Sequence, residues 1–191
     1  MTVSSVATGY DGISLLAGNA AYDPAATWLI QRTTLTSTQT SVTFSSIPST
    51  YKSLQIRANV LCAAGLTFRI KLNGDTTTTN YSRHHLSGNG ATVAAGGAAN
   101  STAFIPLLVV TGTVATYPNV FITDIHDYAS TTKNKTVRSI SGSDKNAASG
   151  SIELDSGAWF STAAVTSVTI DIDGTSTFSS GSTFALYGMI G

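Results

Sequence analysis

The sequence predicts an all-β protein: an antiparallel β-sandwich, jelly-roll-like, with about ten strands and an extended N-terminal arm. Three observations predict this fold. Short runs that alternate apolar and polar residues recur from Trp28 to the end of the chain, separated by Gly, Asn, Asp and Pro. Only 10% of the residues are charged and Glu occurs once, at Glu153, so the residues that usually line the outer faces of helices are scarce. Finally, no stretch keeps a 3.6-residue period over the length of a helix.

The chain divides into two parts. Residues 1–27 show no sustained period and contain Gly9, Gly12, Gly18 and Pro24, which predicts an extended N-terminal arm. Residues 28–191 carry the alternating runs and form the predicted β-sandwich domain. At 191 residues the chain is long enough to bury a self-standing core.

The predicted strands follow one another with short turns between them. Trp28–Thr34 and Ser41–Ile47 form a first candidate pair, and Ser87–Asn100 is predicted to be an exposed loop of small residues. The segment FSSIPSTYKSLQIR (44–57) is interpreted as a structural corner, because Pro48 turns the chain before a strand begins near Ser53. The other predicted strands are 54–60, Leu66–Leu72, Tyr81–Leu86, Phe104–Val110, Asn119–Tyr128, Thr136–Ser141, Ser151–Trp159, Val165–Ile172 and Thr183–Ile190.

Charge and hydropathy exclude several classes of partner. The formal net charge is +0, and phosphate binding needs clustered Lys or Arg, so neither nucleic acid nor a membrane surface is expected. The N-terminus lacks the basic start of a secretory signal, and no apolar run reaches the 18 residues that a membrane span needs. The single cysteine, Cys62, is expected to be a small core residue.

The histidine clusters do not predict a site. His84 and His85 are adjacent on a predicted strand and so point to opposite faces, which disfavours a shared metal ion. Asp124 and His126 share a face, but no G-x-S-x-G elbow accompanies them, and a hydrogen-bonded strand end is the favoured interpretation.

The acidic residues do not predict a site either. Asp173-Gly174 is interpreted as a turn, because the acidic ligand that a calcium loop needs is missing after it. A structural Ca²⁺ site shared with another loop is the minor alternative. Glu153 and Asp155 share a strand face, interpreted as a solvated one. We therefore predict no catalytic residues, no metal ligands and no cofactor.

A sugar-binding platform of aromatic side chains is an alternative that the composition leaves open, although large aromatics in β-proteins usually lie in the core. The aromatic residues that could form it are Trp28, Tyr81, Tyr117, Tyr128 and Trp159, and the candidate glycan-contact residues are Tyr81, His84, Tyr117 and Tyr128.

One resemblance covers the chain from about residue 28 to its end. It rests on FSSIPSTYKSLQIR, FRIKLNGD (68–75), NYSRHHLSGNG (80–90), DIHDYASTTKNKTVRSISGSD (124–144), SGAWFSTAAVTSVTI (156–170) and STFALYGMIG (182–191). With these segments the sequence resembles small β-sandwich proteins of the virions of tailed phages that infect marine bacteria and cyanobacteria. The lead-in DGISLLAGNAAY (11–22) is also similar to what precedes the sandwich in some members.

The resemblance implies a non-enzymatic building block, made in the host cytoplasm and displayed on the outer surface of a virion. One hypothesis is a capsid decoration, cement or head-fibre protein whose arm docks on the major capsid protein through Ile13, Leu15, Leu16 and Tyr22. The alternative is a tail-fibre-type receptor-binding protein that recognises host-surface polysaccharide. A homotrimer is expected in either case, because exposed strand edges and an apolar face such as Phe104–Val110 need covering.

Overall fold

The computed structural model describes residues 6–8, 14–16, 27–62, 67–99, 105–109, 116–144, 150–174 and 176–190. These residues form fourteen β-strands and one short 3-10 turn, Thr78–Asn80. The strands are β1 (Val6–Thr8), β2 (Ser14–Leu16), β3 (Thr27–Thr34), β4 (Ser41–Phe44), β5 (Ser53–Val60), β6 (Thr67–Leu72), β7 (Tyr81–Gly88), β8 (Val93–Ala99), β9 (Ile105–Val109), β10 (Asn119–His126), β11 (Lys135–Ser143), β12 (Ser151–Trp159), β13 (Val168–Ile172) and β14 (Thr183–Met189).

The strands form two main sheets of unequal width. The large sheet has eight strands in the order β3-β14-β5-β10-β11-β12-β7-β8, and the small sheet has four in the order β4-β13-β6-β9. Each pairing within them is antiparallel. The prediction of an all-β antiparallel sandwich is therefore confirmed.

The core lies between the two sheets. On β5 the residues Leu54, Ile56, Ala58 and Val60 are buried, whereas the residues between them are partly or fully exposed, as period-2 alternation requires. Four phenylalanines, Phe68, Phe121, Phe178 and Phe184, pack in tilted or edge-on pairs with ring centroids 5.1–6.1 Å apart. Each fully buried side chain of this kind contributes about 1.5–3 kcal/mol of hydrophobic stabilisation.

The segment that joins β4 to β5 carries the chain from the small sheet to the large sheet. Ile47 is buried, and its amide donates to the carbonyl of Thr166 at 3.0 Å. The hydroxyl of Tyr128 donates to the carbonyl of Pro48 at 2.6 Å and accepts from the amide of Tyr51 at 3.1 Å. The interpretation of this segment as a structural corner is confirmed, and Tyr128 holds the corner closed.

The predicted first pair is wrong. Trp28–Thr34 falls on β3, which pairs with β14, and Ser41–Ile47 falls on β4, which pairs with β13. Because β3 and β4 belong to different sheets, strands from the C-terminal end of the chain supply their partners. Such long-range pairing leaves no signal in the local pattern.

The prediction of a loop over Ser87–Asn100 is also wrong in its larger part. Ser87 and Gly88 end β7, and Val93–Ala99 forms β8, the edge strand of the large sheet. Gly and Ala have low β-propensity, but ladder hydrogen bonds use the backbone alone. The predicted exposure is correct, since most of β8 faces solvent.

The arm residues are described only in part. Leu15 and Leu16 lie on β2, which pairs with β1 in a separate two-stranded sheet. Ile13 and Tyr22 lie outside the described residues.

A homotrimer was expected partly because the apolar segment Phe104–Val110 would need covering. The described part of this segment has a different role. Phe104 and Val110 lie outside the described residues, but between them β9 pairs with β6, and Ile105 is fully buried in the chain's own core. This segment therefore does not offer Ile105 to a partner. Within the described ranges, no helix is long and apolar enough to cross a membrane.

Candidate interaction surface

The outer face of the large sheet, the one turned away from the small sheet, carries an exposed aliphatic surface. The strand register aligns its residues in two adjacent rows across β10, β11, β12, β7 and β8. The aliphatic row reads Ile122, Ile140, Leu154, Leu86, Ala95, and the glycine row reads Val120, Gly142, Ile152, Gly88, Val93. We call these ten residues the aliphatic patch; none of them has a polar side chain.

The patch is solvent-exposed to a degree that is unusual for large aliphatic residues. The seven side chains of Ile, Leu and Val in it are between 44% and 78% exposed. Single exposed apolar residues are normal, but a contiguous group in the middle of a sheet marks a binding surface or an aggregation hazard. The aliphatic patch is thus the strongest candidate functional surface among the described residues.

A row of polar residues borders the patch on one side. The register continues the rows with Asp124, Arg138, Ser156 and His84, which we call the polar row. Asp124 accepts from the side chain of Gln55 at 2.8 Å and lies 3.5 Å from a guanidinium nitrogen of Arg138. The outer face therefore changes from aliphatic to hydrogen-bonding within one row.

A groove of about 1000 Å³ runs over one end of the patch. Its floor includes Val120, Ile122 and Ile140, and Arg57 and Tyr187 stand at its end on β5 and β14. The guanidinium of Arg57 lies 4.7 Å from the centroid of the Tyr187 ring, a cation–π geometry, so this end of the groove carries a positive charge.

The structure places the four candidate glycan-contact residues in different environments. Tyr81 and Tyr128 are fully buried, and their hydroxyls bond to backbone groups of the chain itself. Burial raises the pKa of Tyr81 to about 12 and also raises the pKa of Tyr128. These two residues are corrected to core residues, because a ligand cannot reach a fully buried ring.

The other two candidates are accessible but belong to separate elements. His84 is exposed on β7 in the polar row, and Tyr117 is exposed just before β10 begins. The four residues therefore do not form one aromatic platform.

The prediction that His84 and His85 face opposite sides of their strand is confirmed by the glycines of β8. A Cβ atom built on Gly97 would lie 2.7 Å from the ring of His84, and one built on Gly96 would lie 2.7 Å from the ring of His85. Each imidazole thus covers a glycine of the edge strand, one on each face of the sheet. Among the described residues, no group of three or more His, Cys, Asp or Glu is placed to hold a metal ion.

Glu153 and Asp155, interpreted as a solvated pair, are buried instead. They lie on the inner face of β12, at 3% and 1% exposure. Arg83 on β7 reaches both: a guanidinium nitrogen lies 2.8 Å from Glu153 and 3.3 Å from the Oδ1 atom of Asp155. Neither oxygen of Asp155 has a hydrogen bond of good geometry in the described part of the chain. Burial, with the charge of Glu153 beside it, raises the pKa of Asp155 to about 7 despite Arg83.

The orientation of β12 explains both the buried acids and the exposed aliphatics. Gly157 faces inward, because a Cβ there would lie 2.5 Å from a methyl group of Ile105, and Trp159 is buried two residues further on. Alternation then fixes Asp155 and Glu153 inward and Leu154 and Ile152 outward. The acid–aliphatic alternation was visible in the sequence, but it does not say which face is inside.

The remaining acidic motifs have structural roles. Asp171 accepts from Arg69 and Lys71, both at 2.6 Å, and Asp173 accepts from Arg69 at 2.6 Å. Gly174 has a φ of 67°, which agrees with the predicted turn. Asp124 and His126 share the outer face, as predicted, and Asp124 accepts a hydrogen bond from the side chain of Gln55.

The fold and the surface together define an all-β antiparallel sandwich with an aliphatic face that the described residues leave exposed. Comparison with protein-family models and with characterised proteins gives no match to this sequence.

Proposed function

We propose that the protein is a non-enzymatic assembly module: a virion structural protein of a tailed phage, displayed on the outer surface as a capsid decoration, cement or head-fibre protein. In this proposal the N-terminal arm docks on the major capsid protein and the sandwich forms the displayed body. The aliphatic patch carries the proposal, because a face of this kind on a charge-poor domain is typical of a protein that works inside an assembly. The choice of a phage particle rests on the resemblance of the sequence segments quoted above.

A further observation favours a structural role. The carboxyl pair Glu153 and Asp155 is buried between the sheets, where a substrate cannot reach it.

The tail-fibre alternative has less support. It relied on aromatic residues at an accessible site, and two of the four candidates, Tyr81 and Tyr128, are buried. Recognition of a host polysaccharide would have to use His84, Tyr117 or the groove beside Arg57.

The test is to mix the full-length protein with bare capsids and to image the particles by cryo-electron microscopy. We expect density at regular sites on the shell. A Leu15→Asp/Leu16→Asp variant should lose this density, because charged residues cannot replace an apolar anchor, while Thr43→Asp, an exposed change on the small sheet, should keep it. If the full-length protein leaves the shells bare but binds host cells or their polysaccharide, the receptor-binding alternative replaces the proposal.

A further inference from the structure

The aliphatic patch has a shape that can pack against a copy of itself. In the glycine row, large and small residues alternate across the strands: Val120, Gly142, Ile152, Gly88, Val93. Neighbouring strands lie about 4.8 Å apart, so each aliphatic side chain stands beside a gap one strand wide. A surface of alternating knobs and gaps is complementary to a second identical surface shifted by one strand.

The space above Gly88 is open in the single chain. A Cβ built on Gly88 would have its nearest neighbours at 3.9 Å, which is ordinary van der Waals distance. At Gly142 the nearest atom would be the carbonyl oxygen of Ser151 at 3.3 Å. The chain's own packing therefore does not require glycine at position 88, whereas a gap for an incoming side chain does.

A twofold axis that runs parallel to the strands, between β11 and β12, places two of the three knobs of the glycine row opposite gaps. The third, Val93, falls opposite Asn59 of the second copy. Such an axis exchanges β11 with β12 and β10 with β7, and it keeps each row opposite itself. Gly142 then faces Ile152 of the second copy, and Val120 faces Gly88 of the second copy. In the aliphatic row Ile140 faces Leu154 of the second copy.

The charges beside the patch agree with the same axis. In the polar row, Asp124 falls opposite His84 of the second copy, and Arg138 falls opposite Ser156. Arg57, which continues the aliphatic row on β5, falls opposite Ala95. No like charges face each other in these three rows.

The overlap area comes close to that of a standard stable interface when the two faces are treated as flat rectangles. The six strands from β5 to β8 that overlap about this axis span roughly 29 Å, and eight residues along them span roughly 26 Å, or about 750 Å² per copy. A standard stable interface buries about 800 Å² per partner. Aligned sheets also pack face to face in ordinary sandwiches, about 10 Å apart.

We propose that two copies of this chain associate through the outer faces of their large sheets, about a twofold axis parallel to β11 and β12, with the aliphatic residues of one copy entering the glycine gaps of the other. This inference goes beyond the proposed function and does not depend on a capsid. For this surface the inference predicts a homodimer instead of the expected homotrimer.

The first experiment measures molar mass by sedimentation equilibrium over a wide concentration range. We expect a species of twice the 19.7 kDa of one chain. Gly88→Val fills a gap at a position where the chain leaves room for a Cβ atom. Overpacking of this kind costs about 1–3 kcal/mol, so the dissociation constant of the dimer should rise roughly tenfold or more. Ile152→Asp should give monomer, and Thr43→Val and Thr43→Asp, on the opposite side of the sandwich, should leave the dimer unchanged.

The second experiment tests the axis itself. Asp124 and His84 lie three strands apart within one chain but face each other across the proposed axis. An Asp124→Cys/His84→Cys variant, which leaves the glycine gaps open, should give a covalent two-chain product with a short bismaleimide, and each single variant should give much less. The inference is overturned if the natural chain stays monomeric at all concentrations or forms trimers. It is also overturned if the Gly88→Val and Ile152→Asp variants dimerise as well as the natural chain. A capsid-binding failure alone would leave it standing.

Discussion

The ring of Tyr51 lies directly over Gly188, so that a Cβ atom on Gly188 would be 2.3 Å from the nearest ring carbon. Tyr51 belongs to the corner between β4 and β5, and Gly188 belongs to β14, which pairs with β5. This contact between Tyr51 and Gly188 packs the corner against the large sheet. Glycine is required here for space, and its backbone conformation is ordinary.

The first prediction follows from this contact. Gly188→Ala should lower the free energy of unfolding by about 1–3 kcal/mol, because the near edge of the ring must move and Tyr51 is tied to Tyr128 through its amide. Urea denaturation measures the loss. The matched control is Gly188→Ala combined with Tyr51→Ala: the second change should make the first nearly neutral, and a full additive loss would contradict the contact as its cause.

The second prediction concerns the pH dependence of stability. The pKa of Asp155 is about 7 in the folded chain, above its ordinary value of 3.8 in the unfolded chain, so the folded state holds this proton more tightly. The contribution of Asp155 to stability is therefore fully present below about pH 4 and is lost as the pH rises to about 7. The loss is at most roughly 4 kcal/mol.

Asp155→Asn removes the titrating group and keeps its shape. We expect the variant to be more stable than the natural chain at about pH 8 and close to it at about pH 4, with a flatter profile between. Unfolding curves at several pH values measure this. Arg83→Gln should have the opposite effect at high pH, because it leaves two buried carboxylates without their cation. Equal pH slopes in the Asp155→Asn variant and the natural chain would exclude Asp155 as the source.

The third prediction concerns Asp75, which follows the turn after β6. Its carboxylate accepts from the indole nitrogen of Trp159 at 2.7 Å, from the amide side chain of Asn80 at 2.8 Å and from the amide of Thr77 at 2.8 Å. Burial acts to raise the pKa of Asp75, and these hydrogen bonds outweigh it and lower the pKa to about 2. The stability that Asp75 supplies is present above about pH 4 and is lost as the pH falls toward 2.

Asp75→Asn places an amide donor where the carboxylate accepted from Trp159 and Asn80. We expect a loss of about 1–3 kcal/mol at neutral pH, together with a change in Trp159 fluorescence. Thr76→Asn, at the exposed neighbouring position, is the control and should change neither. Unchanged stability and fluorescence in Asp75→Asn would show that the hydrogen bonds do not hold the turn.

The fourth prediction concerns the edge strand β8. Gly96→Val should displace the imidazole of His85 and loosen β8 from β7, so that the amides of Val93–Ala99 exchange faster with deuterium. Global stability should fall by only about 1–2 kcal/mol, because an edge strand contributes little to the core. His85→Ala should restore slow exchange to the Gly96→Val variant; continued fast exchange there would assign the effect to the backbone instead of the imidazole.

Local patterns were sufficient to predict most strands. β6 alternates so regularly that its buried face follows directly from period 2, and β10 begins at the predicted Asn119 and ends two residues before the predicted Tyr128. The Asn73-Gly74 turn has the positive φ angles that its sequence favours. β8 was missed because its residues carry no propensity signal, and its place in the sheet depends on its ladder with β7. The aliphatic patch was missed because the face of Glu153 and Asp155 was interpreted as solvated, which would turn Ile152 and Leu154 inward.

The sequence by itself determined the fold class, the corner at Pro48 and the opposite faces of His84 and His85, because each depends on residues close together in the chain. The tertiary structure alone decided which strands are neighbours and which face of β12 is inside. Those choices depend on contacts between residues distant in sequence, such as Gly157 beneath Ile105 and Arg83 beside Glu153. They bury a charged cluster and expose an aliphatic one, the reverse of what hydrophobicity alone predicts for this strand.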